Sequence, residues 1–363
     1  MRCPLPPGGA PCSGRAGRQK AGRRPRPVPA EPDVVVARFL VSALAVIAAG
    51  IATARFGDVI AARTGLGGLV VGTVLLAAGS SLPELVAGYD AVRLGVPDLA
   101  AGNLFGSSMV NIFLLGLLDL VTVRTRLLHR VAITHSLTAA LATFMVALAA
   151  LFILLPLRVQ VAGIDLEGVV LLLTYIGGTR LIQRQAQLAL PAPVQEPQPR
   201  ISLLQAVLGL AAAFLLLLVA AQGLVTGAEE IAARTGQTLG FFGVAVFPLI
   251  TCMPELVSSI EATRIHAYDL AVGNLFGSCV FNMTALAIIS LLTGPGSLFA
   301  TVSPGFVAVA LLVLVLISLA LLATLGRTEV RILHLEVDAL LIVAIYLGGL
   351  YLLYREGLLV PRG

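Results

Sequence analysis

This sequence contains few charged residues, few cysteines and few histidines, and these absences limit the classes of protein that it can encode. Only 12% of its 363 residues are charged and 58% are hydrophobic, whereas a soluble domain carries about 25% charged residues. Cysteine and histidine lack the close spacing of a metal-binding motif, and no disulfide framework is implied. They are Cys3, Cys12, Cys252 and Cys279, and His129, His135, His266 and His334. The composition therefore indicates an all-α polytopic membrane protein.

The net charge of +5 comes largely from residues 1–33, which contain seven Lys or Arg among many Pro and Gly. This segment has no apolar periodicity, so we expect a disordered basic tail. It also lacks the apolar core of a signal peptide. With no accompanying nucleic-acid-binding fold, the charge does not predict a nucleic-acid partner.

Ten apolar runs follow, each long enough to cross a bilayer as a helix. They are Val34–Ala54, Leu66–Val92, Leu99–Val123, Val131–Leu155, Gly163–Ile182, Ile201–Val225, Leu239–Thr263, Leu270–Leu292, Val302–Leu325 and Val337–Tyr354. A Pro-rich linker at 183–200 separates a five-helix repeat at 34–182 from a second at 201–354, which is followed by a tail at 355–363. A duplicated unit with an odd number of spans must lie inverted relative to its twin. The prediction is therefore ten transmembrane helices in two inverted repeats, a plan of many secondary transporters.

Lys and Arg are more frequent in the loops after the odd-numbered helices than in those after the even-numbered ones. By the positive-inside rule, the odd-numbered loops are expected in the cytoplasm and both termini outside it. We expect a multi-pass protein of the cell membrane that functions as a monomer.

The chain is organised around a stretch that occurs twice, 171 positions apart. One copy reads G-S-S-L-P-E-L at 79–85 and G-N-L-F-G-S at 102–107, and the other reads I-T-C-M-P-E-L at 250–256 and G-N-L-F-G-S at 273–278. Between 60–111 and 231–282, 23 of 52 positions are identical, which indicates an internal duplication. Each copy places a carboxylate and hydroxyls in an apolar run, and ionisable groups in a bilayer are expensive and usually functional.

A proline precedes each carboxylate, and it is expected to loosen the helix there. Pro83 and Pro254 have no N–H, so each leaves a carbonyl of the preceding turn without its donor. In lipid such a carbonyl must find another partner or line a polar cavity. Glu84 and Glu255 follow directly, and hydroxyls three or four residues earlier share their helix face. These hydroxyls belong to Ser80, Ser81 and Thr251.

Side chains at four-residue spacing predict a polar stripe on the next helix of each repeat. The stripes consist of Asn103, Ser107 and Asn111, and of Asn274, Ser278 and Asn282. Glycines at 102, 106, 273 and 277 have the spacing that lets helices approach closely. The glutamate, serine, threonine and asparagine side chains all offer oxygen atoms as ligands, and hard cations prefer oxygen ligands. Two facing glutamates repel each other, so calcium, several sodium ions or a proton must neutralise them.

At these residues the chain resembles the calcium/cation antiporter superfamily, and most closely the sodium/calcium exchangers. The family's repeats read approximately G-T-S-[LM]-P-E and G-N-x-x-G-S-x-x-x-N/D, and the resemblance covers residues 34–354. It implies that Glu84 and Glu255 are the central calcium ligands and also face sodium. It further implies oxygens from Ser80 and Thr251, sodium positions lined by Ser81, Ser107 and Ser278, and a site completed by Asn111 and Asn282.

The sequence departs from the family pattern at several of these positions. Ser80 replaces the usual Thr, and I-T-C-M at 250–253 replaces G-T-S-L, so that the thiol of Cys252 stands where a hydroxyl is expected. Asn282 stands where many exchangers carry Asp, which leaves two formal negative charges instead of three. The resemblance thus leaves the driving ion and the stoichiometry open.

The leading hypothesis is an antiporter that exchanges calcium for sodium, with no cofactor and with the ions as its substrates. The alternative is a proton-coupled antiporter of calcium or another cation. An intramembrane hydrolase would need an acid and a base with separated pKa values, which two equivalent glutamates do not offer, so we do not expect an enzyme. Nor do we favour a channel. The acids near the predicted helix ends are expected to be solvated: Asp90, Asp98, Glu261 and Asp269.

Overall fold

The computed structural model describes residues 32–122, 127, 132–157, 159–161, 164–189, 201–235, 247–293, 296–326, 331–332 and 335–355. Residues 1–31 of the predicted tail, 190–200 of the predicted linker and 356–363 lie outside this set. Within it the chain is helical, apart from two antiparallel pairs of two-residue strands.

The helices of the first half are α1 (Pro32–Thr64), α2 (Gly67–Val70), a π-helical turn (Val71–Leu76), α3 (Ala77–Ser80), α4 (Leu82–Arg93), α5 (Pro97–Val121), α6 (Ala132–Leu154) and α7 (Leu166–Ala189). Those of the second half are α8 (Leu203–Thr235), α9 (Phe247–Thr251), α10 (Met253–Arg264), α11 (Tyr268–Leu292), α12 (Leu298–Thr301), α13 (Phe306–Gly326) and α14 (Val337–Arg355). Strands β1 (Gln160–Val161) and β2 (Ile164–Asp165) pair before α7, and β3 (Arg331–Ile332) and β4 (Leu335–Glu336) pair before α14.

Seven helices in the described part of the chain are long and apolar enough to cross a membrane: α1, α5, α6, α8, α11, α13 and α14. An eighth span is formed if Gly67–Ser80 and Leu82–Arg93, which bend by 42° at their junction, cross as one unit. The other two predicted spans contain α7, which carries Glu167 and Arg180, and α9 with α10, whose preceding residues 236–246 are not described. Ten spans therefore remain a prediction.

The core of the molecule is built around α5 and α11. Their most apolar stretches are 78% and 83% buried, compared with 28% for α1 and α8. The most extensive packing of α1 and of α8 is along each other, and α1 also packs against α10. Many of their large apolar side chains are nevertheless exposed. The architecture thus consists of a buried central helix pair, surrounding helices, and an outer pair of 33 residues each.

The α1 helix continues ten residues beyond the predicted end at Ala54. Arg55 lies in this extension, and its guanidinium reaches Glu261 of α10, with Nη2 2.7 Å and Nε 2.8 Å from Oε1. Glu261 is 3% exposed, so the expectation that it is solvated was wrong. The arginine neutralises a carboxylate that the end of α10 buries against its neighbours.

Both repeated Pro-Glu motifs lie where a helix is interrupted. Ser81 separates α3 from α4, and Cys252 separates α9 from α10. Pro83 and Pro254 each lie in the first turn of the new helix, where the missing N–H has no helical partner to lose. The broken backbone therefore places each glutamate in the first turn of a short helix.

A close approach between α11 and the π-helical turn depends on glycine. A Cβ added to Gly277 would lie 2.4 Å from the carbonyl oxygen of Thr73 and 2.7 Å from its Cα. Both of these atoms are backbone, so neither can move aside as a flexible side chain would. The glycine spacing noted in the sequence thus permits a close contact between α11 and the π-helical turn.

Replacement of Gly277 by Ala is therefore expected to destabilise the fold by about 1–3 kcal/mol, the usual result of overpacking. Gly177→Ala is the matched control, because a Cβ at Gly177 meets nothing within 4 Å. That control should be neutral or slightly stabilising, since Ala favours a helix by about 1 kcal/mol over Gly. Unfolding temperatures in detergent distinguish the two, and equal stability of both variants would contradict the close approach.

Candidate cation site

The two repeated glutamates come together in the interior. Glu84 is 1% exposed and Glu255 is 0% exposed. One carboxylate oxygen of each and the Sγ of Cys252 all lie within 4.8 Å of one another. Each acid occupies the first turn of its helix, α4 or α10, where the positive end of the helix dipole favours a negative charge. Residues 171 positions apart in the chain thus form one buried acidic centre.

Serine from the first copy holds the glutamate of the second. The hydroxyl of Ser81 donates to Oε1 of Glu255 at 2.8 Å and lies 3.1 Å from Oγ of Ser278. Its twin position, 171 residues on, carries Cys252, whose thiol instead points to the main-chain carbonyl of Ser107 at 3.7 Å. The twin positions 81 and 252 therefore differ by one hydroxyl.

The asparagines that begin the polar stripes tie the helices together in matching ways. Nδ2 of Asn103 lies 3.5 Å from the carbonyl of Glu84, and Nδ2 of Asn274 lies at the same distance from the carbonyl of Glu255. Oδ1 of Asn103 accepts from Thr251 at 3.4 Å. Its twin, Oδ1 of Asn274, accepts from Ser80 at 3.3 Å. These amides therefore hold the broken helices and place two hydroxyls near the acids.

The remaining predicted site residues lie on α5 and α11, and all are buried. Oγ of Ser107 lies 3.4 Å from Oγ1 of Thr251. Nδ2 of Asn282 donates to Oγ of Ser108 at 3.2 Å. The amide of Asn111 has no hydrogen-bond partner among the residues that the structure describes. The structure thus brings Ser107 and Ser278 into direct contact with the groups around the acids, and it places Asn111 and Asn282 one turn farther along.

Several buried oxygens at this centre lack a donor. Within the described ranges, neither carboxylate oxygen of Glu84 has a hydrogen-bond partner, and the same holds for Oε2 of Glu255, Oδ1 of Asn111 and Oδ1 of Asn282. No ion pair is formed by Glu84 or Glu255 in the same part of the chain. Buried acceptors and charges are costly unless they are paired, so the arrangement is suited to a cation or a proton.

Sequence reasoning missed Ser108, Ser258 and Ser259 as supports of the site. Nδ2 of Asn274 donates to Oγ of Ser258 at 3.0 Å and to Oγ of Ser259 at 3.1 Å. A polar face on α10, one turn after Glu255, is the signal that could have identified Ser258 and Ser259.

Of the acids expected to be solvated, Asp269 is half exposed and lies 3.1 Å from Nε2 of His135, while Asp98 binds the main chain and side chain of Ser303.

The chain is similar to known proteins over most of its length. A family model described as "Sodium/calcium exchanger protein" matches residues 34–181 and 205–355. CaxA of Alkalimonas amylolytica, whose name assigns it to the antiporters, is 29% identical over 312 residues, which are 82% of this chain and 91% of CaxA. The inner membrane protein YrbG of Escherichia coli (strain K12) is 30% identical over 249 residues, or 67% of this chain and 75% of YrbG.

A solved structure of the sodium-calcium exchanger NCX_Mj has the same fold. It aligns with a TM-score of 0.61 at 21% identity, and the alignment covers 88% of this chain and 98% of that one. The structural similarity therefore extends over most of the chain.

Replacement of Glu84 by Gln removes one of two facing acids and keeps the shape of the site. In cation-free buffer with a chelator, we expect the unfolding temperature to stay the same or rise by a few degrees, because the repulsion is relieved. A thiol-reactive fluorophore can follow unfolding, since Cys252 and Cys279 are buried and free, with Cys3→Ser and Cys12→Ser introduced in every variant.

Asp90→Asn, at an exposed position, is the control for loss of a charge. A large fall in unfolding temperature for Glu84→Gln alone would show that this carboxylate is a satisfied structural group.

Proposed function

The chain belongs to the sodium/calcium exchanger family, and on that premise we propose that it is a secondary antiporter that exchanges calcium for sodium by alternating access. Members of this family are integral membrane transporters, so the ions are substrates and no cofactor is assigned. The proposal rests on one observation: Glu84 and Glu255 are buried side by side without a cationic partner in the described chain.

Charge balance makes calcium suitable for this centre. One divalent ion neutralises two carboxylates, and calcium takes six to eight oxygen ligands. Carboxylate, hydroxyl, amide and main-chain oxygens surround the acids. Sodium ions would compete for the same oxygens, and this competition couples the two ions because the acids must be neutralised in either state.

We assign the ligands from the contacts that the predicted site residues make around the acids. Glu84 and Glu255 bind calcium and also face sodium, while Ser81 and Ser278 line positions beside Glu255. Ser80, Thr251 and Ser107 contribute oxygens from the surrounding contacts, and Asn111 and Asn282 complete the cavity through amide oxygens that have no donor in the described chain.

Paired contacts support two inverted five-helix repeats and, with them, the ten-span arrangement. The contact of Asn103 with Glu84 recurs as that of Asn274 with Glu255, and the contact of Ser80 with Asn274 recurs as that of Thr251 with Asn103. Adding or subtracting 171 converts each contact into its counterpart. Such exchange is expected when two copies face each other across a twofold axis in the membrane plane.

In the proposed mechanism, the elements around the acids form a fixed core, and α1 with α8 slides across it. These two helices are among the least buried spans, and each makes its most extensive contact with the other, which suits a moving pair. The ion pair of Arg55 with Glu261 joins α1 to the core and would open and close in this motion. We further propose a functional monomer in the cell membrane with both termini outside the cytoplasm.

Proton coupling is the second candidate, because the centre has two acids and carries Asn282 where many exchangers carry Asp. The two negative charges balance one calcium ion, so no negative charge remains to bind an additional sodium ion. Two protons would balance the same acids, so counter-transport of protons requires no further group.

Glu84→Gln and Glu255→Gln are each expected to reduce calcium exchange to background, because a single remaining carboxylate cannot balance a divalent ion. The measurement is uptake of radioactive calcium into proteoliposomes with an outward sodium gradient. Asp90→Asn should transport as the unmodified protein does. Gradient-driven uptake that survives in either glutamate variant would overturn the proposal.

Uptake measurements in the same proteoliposomes identify the counter-ion. Uptake driven by sodium at equal pH on both sides supports sodium exchange, whereas uptake driven by a pH gradient in sodium-free medium supports the second candidate.

Cys252→Ser should restore the hydroxyl that the second copy lacks. Ser81, the twin of Cys252, donates to Glu255, whereas Glu84 has no such donor within the described residues. We expect the added hydroxyl to lower the cation concentration for half-maximal exchange about three- to tenfold, the size of one typical intramolecular hydrogen bond of about 0.5–1.5 kcal/mol. Cys252→Ala, which shortens the side chain without adding an oxygen, should give no gain. Equal behaviour of the two variants would contradict this role.

A further inference from the structure

A second pair of buried acids lies away from the glutamate centre, at the start of α7. Asp165 ends strand β2, and Glu167 lies in the first turn of the helix that follows directly. Asp165 is 2% exposed and Glu167 is 0% exposed. Neither residue takes part in the proposed transport mechanism.

Three segments of the chain converge on these acids. Oδ2 of Asp165 accepts from Oγ of Ser290, near the end of α11, at 2.5 Å. Oε1 of Glu167 accepts from the main-chain N–H of Leu157, after α6, at 2.6 Å. Glu167 also lies next to the carboxyl of Asp165 and the hydroxyl of Ser297. The cluster of Asp165, Glu167, Ser290 and Ser297 therefore joins the α6–α7 connection to the segment after α11.

One oxygen of each acid remains without a partner. Oδ1 of Asp165 and Oε2 of Glu167 are buried and accept no hydrogen bond within the described chain. No Arg, Lys or His in that part of the chain forms an ion pair with either acid. Adjacent buried carboxylates repel each other unless a cation or a shared proton lies between them.

The cluster is well separated from the glutamate centre. Ser290 lies twelve residues beyond Ser278 on α11, which corresponds to about 18 Å along the helix. The acid-x-acid pattern recurs at the twin positions, Glu336 and Asp338, again directly after a pair of two-residue strands. The duplicated unit therefore carries this element in addition to its transport motif.

We propose that Asp165 and Glu167, with the hydroxyls of Ser290 and Ser297, form a second site for a divalent cation of the calcium class. Their donors are hard oxygens, and the ion neutralises both acids. Four side chains supply fewer ligands than the six to eight that calcium takes, so water completes the shell and the affinity is modest. The bound ion fastens the α6–α7 connection to the end of α11.

Equilibrium binding of radioactive calcium to the purified full-length protein tests the site. In Glu84→Gln/Glu255→Gln protein, one calcium per chain should remain bound at millimolar calcium. Adding Asp165→Asn/Glu167→Gln should remove that ion, whereas adding Asp90→Asn should leave it bound. The amides match the acids in shape, and thermal unfolding checks each preparation.

Ser290→Ala keeps both acids and removes only one hydroxyl ligand. In Glu84→Gln/Glu255→Gln protein it should weaken the binding of the remaining calcium ion severalfold. Absence of the residual ion would overturn the site and indicate a shared proton, whereas its retention after Asp165→Asn/Glu167→Gln would overturn the site and indicate that calcium binds elsewhere. Calcium uptake should persist in Asp165→Asn/Glu167→Gln protein with the native glutamates. Failure of this second site therefore remains distinguishable from failure of the transport proposal.

Discussion

The repulsion between two carboxylates enclosed in an apolar interior is the constraint on which this structure depends. Glu84 and Glu255 approach within a distance that one ion can bridge, and burial removes the water that would otherwise screen them. The fold holds them there by tying the main chain of each glutamate to an asparagine of the next helix. No cationic side chain among the described residues pairs with them, and this supports the proposal that the centre accepts a cation.

Broken helices make this arrangement compatible with a membrane. The interruptions at Ser81 and Cys252 lie in the buried interior, where irregular backbone does not face lipid. They also place each acid in the first turn of a new helix, where the dipole stabilises its charge. Proline, glutamate and the stripe asparagine therefore act as one unit, which the chain contains twice.

The second acid pair illustrates a different use of the same principle. At Asp165 and Glu167, buried carboxylates lie at a junction of segments and not at the centre of the molecule. The hydroxyl of Ser290 and the N–H of Leu157 satisfy one oxygen of each acid, and the other oxygen of each acid has no hydrogen-bond partner within the described residues. In our proposals, an ion at this junction holds segments of the chain together, whereas the ions at the central site are transported.

The sequence by itself determined the helical class, the duplication and the identity of the central acids, because ionisable residues in apolar runs have few structural uses. Only the tertiary structure decided which side chains meet across the repeats. Ser81 serves Glu255 and not its neighbour Glu84, Arg55 reaches Glu261 from an unexpected extension of α1, and Ser290 reaches Asp165 across 125 residues. These contacts depend on helix rotation and on the bend of 42°, which are set by packing between distant segments and leave no local pattern in the chain.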